Sequence, residues 1–134
     1  MLTLPPSVRI YLATEPTDMR KGFDGLMAIV RNQWGRDPFG GHLFMFISRR
    51  RDRAKVLWWD DGGFVLYYKR LEAGRFKMPT VRPGEQTVRL EASQLAMLLS
   101  GIDLSRVRKP RRWMPGDVAN GGRYAPRIDR SRKP

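Results

Sequence analysis

The chain has 134 residues, 26 of them basic and 13 acidic, for a formal net charge of +13. With no cysteine and one histidine it excludes disulfides, thiolate zinc sites, Cys–His nucleophile pairs and multi-histidine metal cages. No apolar run approaches the roughly 18–20 residues that cross a bilayer. The opening stretch lacks a charged leader and is broken by Pro5 and Pro6, so no secretory signal is expected and the expected location is the cytoplasm.

In chain order, Val8–Leu12 alternates as a strand does. Thr17 is a candidate helix N-cap and Asp18 a favourable first-turn acid. Met19, Phe23, Leu26, Met27, Val30 and Trp34 then fall on one helical face. Gly22 and Gly25 lower helix propensity and move the expected start toward Gly22, and Gly35 is placed to end the helix. His42–Ser48, Ala54–Trp59 and Phe64–Lys69 are dense in aromatic and branched residues and read as three strands. Their connections, Arg49–Arg53 and Asp60–Gly63, are short enough for hairpins. Leu43, Met45 and Ile47 share one side of the first strand and Phe44 and Phe46 the other, so the sheet needs cover on both faces. Gln86–Leu90 reads as a further strand and Ala92–Ser100 as a short helix burying Leu95, Leu98 and Leu99, stopped by Gly101. The expected fold class is α+β: an antiparallel β-meander packed by an N-terminal helix and a short C-terminal helix, followed by a basic tail.

Charge divides the chain. Residues 1–105 hold 16 basic and 11 acidic residues; residues 106–134 hold 10 and 2. We therefore expect a compact α+β domain over 1–105 and a basic Pro/Gly-rich tail over 106–134 that buries too little to order itself throughout. Trp113, Met114 and Tyr124 are the tail's large anchors, and Arg108, Lys109, Arg111 and Arg112 its densest cation run.

Nucleic acid is the first partner such a charge balance selects, although a merely solubilising surface has the same composition. Arg49, Arg50, Arg51 and Arg53 crowd one hairpin tip with Lys55 just beyond. The cluster reads either as a phosphate contact, which relieves mutual repulsion and releases counterions, or as a solvated turn. Asp18-Met19-Arg20-Lys21-Gly22 reads either as an anion site at a helix start or as a local pair of Asp18 with Arg20 or Arg53. In Tyr67-Tyr68-Lys69-Arg70 and Gly74-Arg75-Phe76-Lys77, aromatics alternate with cations. That pattern suits base stacking beside phosphate contacts, and equally suits core packing. Asp60 and Asp61, with Asp18, Asp24 and Glu72 elsewhere, admit a carboxylate metal site for phosphodiester cleavage, yet two acids before Gly-Gly are ordinary turn chemistry. No catalytic residue, metal ligand or cofactor site is assigned.

Several blocks together resemble one family: Thr17-Asp18-Met19-Arg20-Lys21-Gly22, Asp37-Pro38-Phe39 with Gly41, Phe44-Met45-Phe46 and Arg50-Arg51-Asp52-Arg53 with Lys55. Trp59-Asp60 with Gly63-Phe64, Tyr67-Tyr68-Lys69-Arg70-Leu71-Glu72, Gly74-Arg75-Phe76 and Leu98-Leu99-Ser100-Gly101-Ile102-Asp103 continue the series. The family is the accessory protein TnpB of bacterial insertion sequences of the sixty-six type, unrelated to the RNA-guided nuclease of the same name. The resemblance covers about Pro6 to Asp103 and leaves the tail out. It implies a non-catalytic accessory factor in DNA transposition, encoded beside a separate transposase that cuts and joins. On this reading DNA, duplex or single-stranded, is the expected partner, with the transposase and a second accessory protein of the element beside it and nucleoid association as a corollary. The candidate contacts are Arg20, Lys21, Arg49, Arg50, Arg51, Arg53, Lys55, Lys69, Arg70 and Arg75, plus the tail cations. The alternative is a subunit that docks on the transposase without touching DNA.

Overall fold

The computed structural model describes residue 5 and residues 7–101; the predicted tail and its boundary lie outside the described residues. Among the described residues, five strands form one sheet in the order β4-β3-β2-β1-β5. They are β1 (Ile10–Ala13), β2 (Leu43–Ile47), β3 (Arg53–Asp60), β4 (Gly63–Arg70) and β5 (Thr87–Leu90). Helix α1 (Phe23–Ala28) runs on into a π-helical turn, Ile29–Gln33, and α2 (Ala92–Leu99) closes the described region. The α+β class expected from the sequence is present.

The strand directions require a correction. β2–β3 and β3–β4 pair antiparallel, as does β1–β5, but β1 runs parallel to β2, with Tyr11 opposite Phe44. β2, β3 and β4 form an antiparallel meander, and β1 makes the sheet as a whole mixed. The cause is α1: a helix between two strands carries the chain back to the starting edge, and the strands it joins then run the same way.

Both faces of the sheet are covered, as its two-sided apolar pattern demands. One core gathers Ile10, Leu12, Met45, Ile47 and Val56 under α2, whose Leu95, Leu98 and Leu99 are buried, and around the fully buried Phe76. The other gathers Tyr11, Phe44, Phe46 and Leu57 under Leu26 and Val30 of α1 and its π turn. Trp34 stacks on Phe46 with centroids 5.2 Å apart, while Phe23 of the predicted helical face is 46 % exposed. The helix starts after Gly22 rather than at Thr17, whose amide donates instead to the Ile47 carbonyl at 2.9 Å. It ends where predicted, at Gly35, in the left-handed region with φ of 63°. α2 begins with a capping box: the Glu91 side chain accepts from the backbone of Gln94, and the Gln94 side chain accepts from the Glu91 amide. Among the described residues, no helix is long and apolar enough to cross a membrane.

Candidate nucleic-acid interface

Sheet topology brings the carboxyl ends of β1, β2 and β4 and the start of β3 to one end of the molecule. Three stretches meet there, residues 16–20, the β2–β3 hairpin and residues 70–76, and backbone hydrogen bonds tie the first and the last of them to the hairpin. The Thr17 amide donates to Ile47, the Leu71 amide to Asp52 at 2.7 Å, and the Phe76 amide to Arg51 at 2.6 Å. Inside the hairpin the Ser48 hydroxyl bonds the Asp52 carboxylate and accepts from the Arg53 amide at 3.1 Å. The Arg51 amide donates to the Ser48 carbonyl, and Arg51 takes φ of 61°. An unfavourable left-handed arginine is thus held from both sides.

These bonds fix the backbone of the tip. Arg49, Arg50 and Arg51 are exposed, and none forms an ion pair or side-chain hydrogen bond with another described residue. Between the tip and residues 16–20 lies an open cleft of about 610 Å³, lined on the hairpin side by Ser48, Arg49, Arg50, Asp52 and Arg53. Arg53 also lines a second recess of about 440 Å³ with Tyr68, Arg70 and Glu72. The Phe76–Arg51 bond places exposed Arg75 next to the same end, after Gly74 has turned the chain.

Local pairing and an anchor from below hold the Asp18–Lys21 segment. Arg20 forms a forked pair with Asp18, Nη2 to Oδ2 at 2.8 Å, and the Arg20 amide also donates to Oδ1. Those bonds, the side-chain ones foremost, hold the Asp18 carboxyl at about 2 against an ordinary 3.8. Arg20 remains 90 % exposed, so its guanidinium has open edges on the cleft. Lys55 is buried, and its ammonium donates at 2.9 Å to the carbonyls of both Met19 and Lys21. Lys55 thereby positions the loop. Lys69 likewise gives its ammonium to the Leu99 carbonyl at 2.8 Å, at the C-terminal end of α2, where a cation is favoured.

Of the nominated body residues, Arg20, Arg49, Arg50, Arg51, Arg53, Arg70 and Arg75 gather at this end; Lys21 is exposed beside it; Lys55 and Lys69 are committed within the fold. The tail candidates Arg108, Lys109, Arg111 and Arg112 lie outside the described residues. Thr17 and Ser48, both buried, build the site and were not nominated. Their signal is the Ser48…Asp52 bracket around the turn, a hydroxyl and a carboxylate that can tie a loop from inside.

Asp60 and Asp61 sit at the opposite end of the sheet. Asp61 and Gly62 both take positive φ, 39° and 95°, the conformation a two-residue hairpin of the primed type requires. Among the described residues, no group of three or more histidine, cysteine or carboxylate side chains could hold a metal ion. Next to this turn Phe39, Trp59 and Phe64 pack edge-on and tilted with centroids 5.0–5.1 Å apart.

Comparison with known proteins adds two relatives and a family. No solved structure matches the chain. The uncharacterized protein y4jC of Sinorhizobium fredii is 38 % identical over 104 residues, covering 77 % of this chain and 87 % of the relative. The uncharacterized protein y4hO of the same organism is 40 % identical over 118 residues, covering 88 % and 99 %. The family model described as IS66 Orf2 like protein matches residues 8–109, which contain every block of the arginine end, and the chain belongs to that family.

Proposed function

We propose that this protein is a non-catalytic accessory factor in transposition that grips DNA phosphates at the arginine end of its sheet. Membership of the family supports the transposition-associated role. The observation that carries DNA contact is the convergence there of Arg20, Arg49, Arg50, Arg51, Arg53, Arg70 and Arg75 around one hydrogen-bonded frame. Arg20 and Arg70 each have one carboxylate partner, whereas Arg49, Arg50 and Arg51 have none among the described residues; guanidiniums so crowded repel one another in the free protein, and a phosphate backbone relieves that repulsion while releasing counterions. Such contacts set position and carry no sequence information, so the mode of binding is nonspecific grip. The tail cations Arg108, Lys109, Arg111 and Arg112 add affinity of the same kind.

Fluorescence anisotropy of duplex and single-stranded oligonucleotides, of element-end and scrambled sequence at several salt concentrations, tests this. Tight binding that weakens steeply with salt is expected on every sequence; no binding at low salt would refute DNA contact. Deleting residues 106–134 should weaken binding and flatten its salt dependence.

A second reading is favoured by the other end of the sheet. There Phe39 is 46 % exposed on an aromatic cluster beside the Asp60-Asp61 turn. Exposed aromatics are the residues interfaces use. A complex with the transposase that survives nuclease treatment, from a protein that does not bind DNA, would select the docking role.

A further inference from the structure

We propose that Tyr68 is a stacking platform for an unpaired base, which makes single-stranded DNA a ligand of the second recess. The inference rests on the DNA-contact reading above and adds a class of ligand to it.

Tyr67 and Tyr68 are adjacent in β4 and therefore point to opposite faces of the sheet. Tyr68 shares its face with Lys55 and lies diagonally from Arg53 across β3. A tyrosine in a strand ordinarily packs into a core, but this residue is 49 % exposed. It is nevertheless held. Its hydroxyl accepts from Arg53 Nη1 at 3.4 Å, and Lys55 Nζ lies 4.6 Å from its centroid. The lysine is itself fixed by two carbonyls.

Among the described residues β4 is an edge strand, and no described strand lies on the side of Tyr68 away from Lys55. A cation thus lies over one face of the ring, and about half of the residue is left exposed among the described residues. A fixed, half-exposed aromatic costs little entropy to stack upon, and every base offers it a π-face. The recess of about 440 Å³ lies within the range of small-ligand sites.

Charge decides where the backbone of that nucleotide goes. Glu72 accepts from Arg70 Nε at 3.0 Å and makes the outer rim unfavourable for a phosphate. Arg53 has no carboxylate partner among the described residues, and it lines both the Tyr68 recess and the arginine cleft. A strand with its base on Tyr68 therefore passes its phosphate over Arg53 toward Arg49 and Arg50. Duplex DNA reaches the cleft arginines but offers Tyr68 no free base.

The test titrates full-length wild-type protein and the Tyr68→Ala, Tyr68→Trp and Arg49→Ala/Arg50→Ala variants. The probes are a fluorescent thymidine oligonucleotide, the same oligonucleotide carrying 2-aminopurine, and a duplex of equal length. Losing one stack should weaken single-strand binding of Tyr68→Ala by about 5- to 150-fold, with duplex affinity within about 2-fold of wild type on the same argument. Tyr68→Trp should keep wild-type affinity and 2-aminopurine quenching, which guards against a folding defect in the alanine variant. Unchanged single-strand binding by Tyr68→Ala, or equal losses on both DNAs, overturns the stacking site. If the double arginine variant still loses affinity in that case, phosphate contact stands without it. Absence of DNA binding by wild type overturns both.

Discussion

Lys55 has the clearest consequence at the level of a single side chain. On sequence it belongs to the run of cations at the hairpin tip; in the fold its stem is buried between Phe46 and Tyr68, and its ammonium serves the Met19 and Lys21 carbonyls. Strand alternation holds the clue, because Lys55 shares its face with Leu57. Lys55→Met keeps the stem and removes both charge-assisted bonds, and should cost about 2–4 kcal/mol in urea unfolding. An unchanged midpoint would show that the loop is not hung on this lysine. His42 offers a second test. Burial first, then Arg9, Arg36 and Arg89, lower its pKa below 6.5, and its Nδ1 accepts from the Arg9 amide at 2.9 Å. A histidine with a depressed folded pKa binds fewer protons folded than unfolded, so stability should fall as pH drops from 6.5 toward the folded value. Unfolding across that window should lose this slope in His42→Asn.

At the scale of elements, local chemistry was the legible part. The aromatic and branched runs placed every strand to within a few residues, and Gly35 and Gly101 mark the helix ends with positive φ. The acidic hairpin declared itself through Asp61-Gly62. The direction of β1 was not legible, because alternation along a strand carries no information about which neighbour it pairs with. Nor was the strain at Arg51, since nothing local marks an arginine for the left-handed region. That strain yields a prediction. Arg51→Gly keeps both backbone bonds of the tip and relieves a conformation costing roughly 1–2 kcal/mol, offset in part by the roughly 0.5–1 kcal/mol of extra freedom glycine loses on folding. The variant should unfold at higher denaturant while binding DNA less tightly. A lower midpoint would mean that the arginine side chain itself supports the tip.

Across the whole molecule the two hairpins put opposite charge at opposite ends of one sheet, an arginine end and an Asp60-Asp61 end. The sequence offered Arg20, the Arg49–Arg53 run, Arg70 and Arg75 as separate clusters. Their assembly depends on Thr17, Leu71 and Phe76 tying two segments to one hairpin, contacts that no single segment encodes. The same long-range packing drew Lys55 and Lys69 out of the set of available cations. What remains is a surface of largely exposed guanidiniums on a hydrogen-bonded frame, and the proposed phosphate contact is best tested through salt. Wild type and Arg49→Ala/Arg50→Ala/Arg51→Ala should be titrated against one duplex at several salt concentrations. Loss of up to three phosphate contacts should reduce the slope of log affinity against log salt by about 2–3, with weaker binding at every salt concentration. Equal slopes and equal affinities would place DNA contact elsewhere on the protein, or nowhere on it.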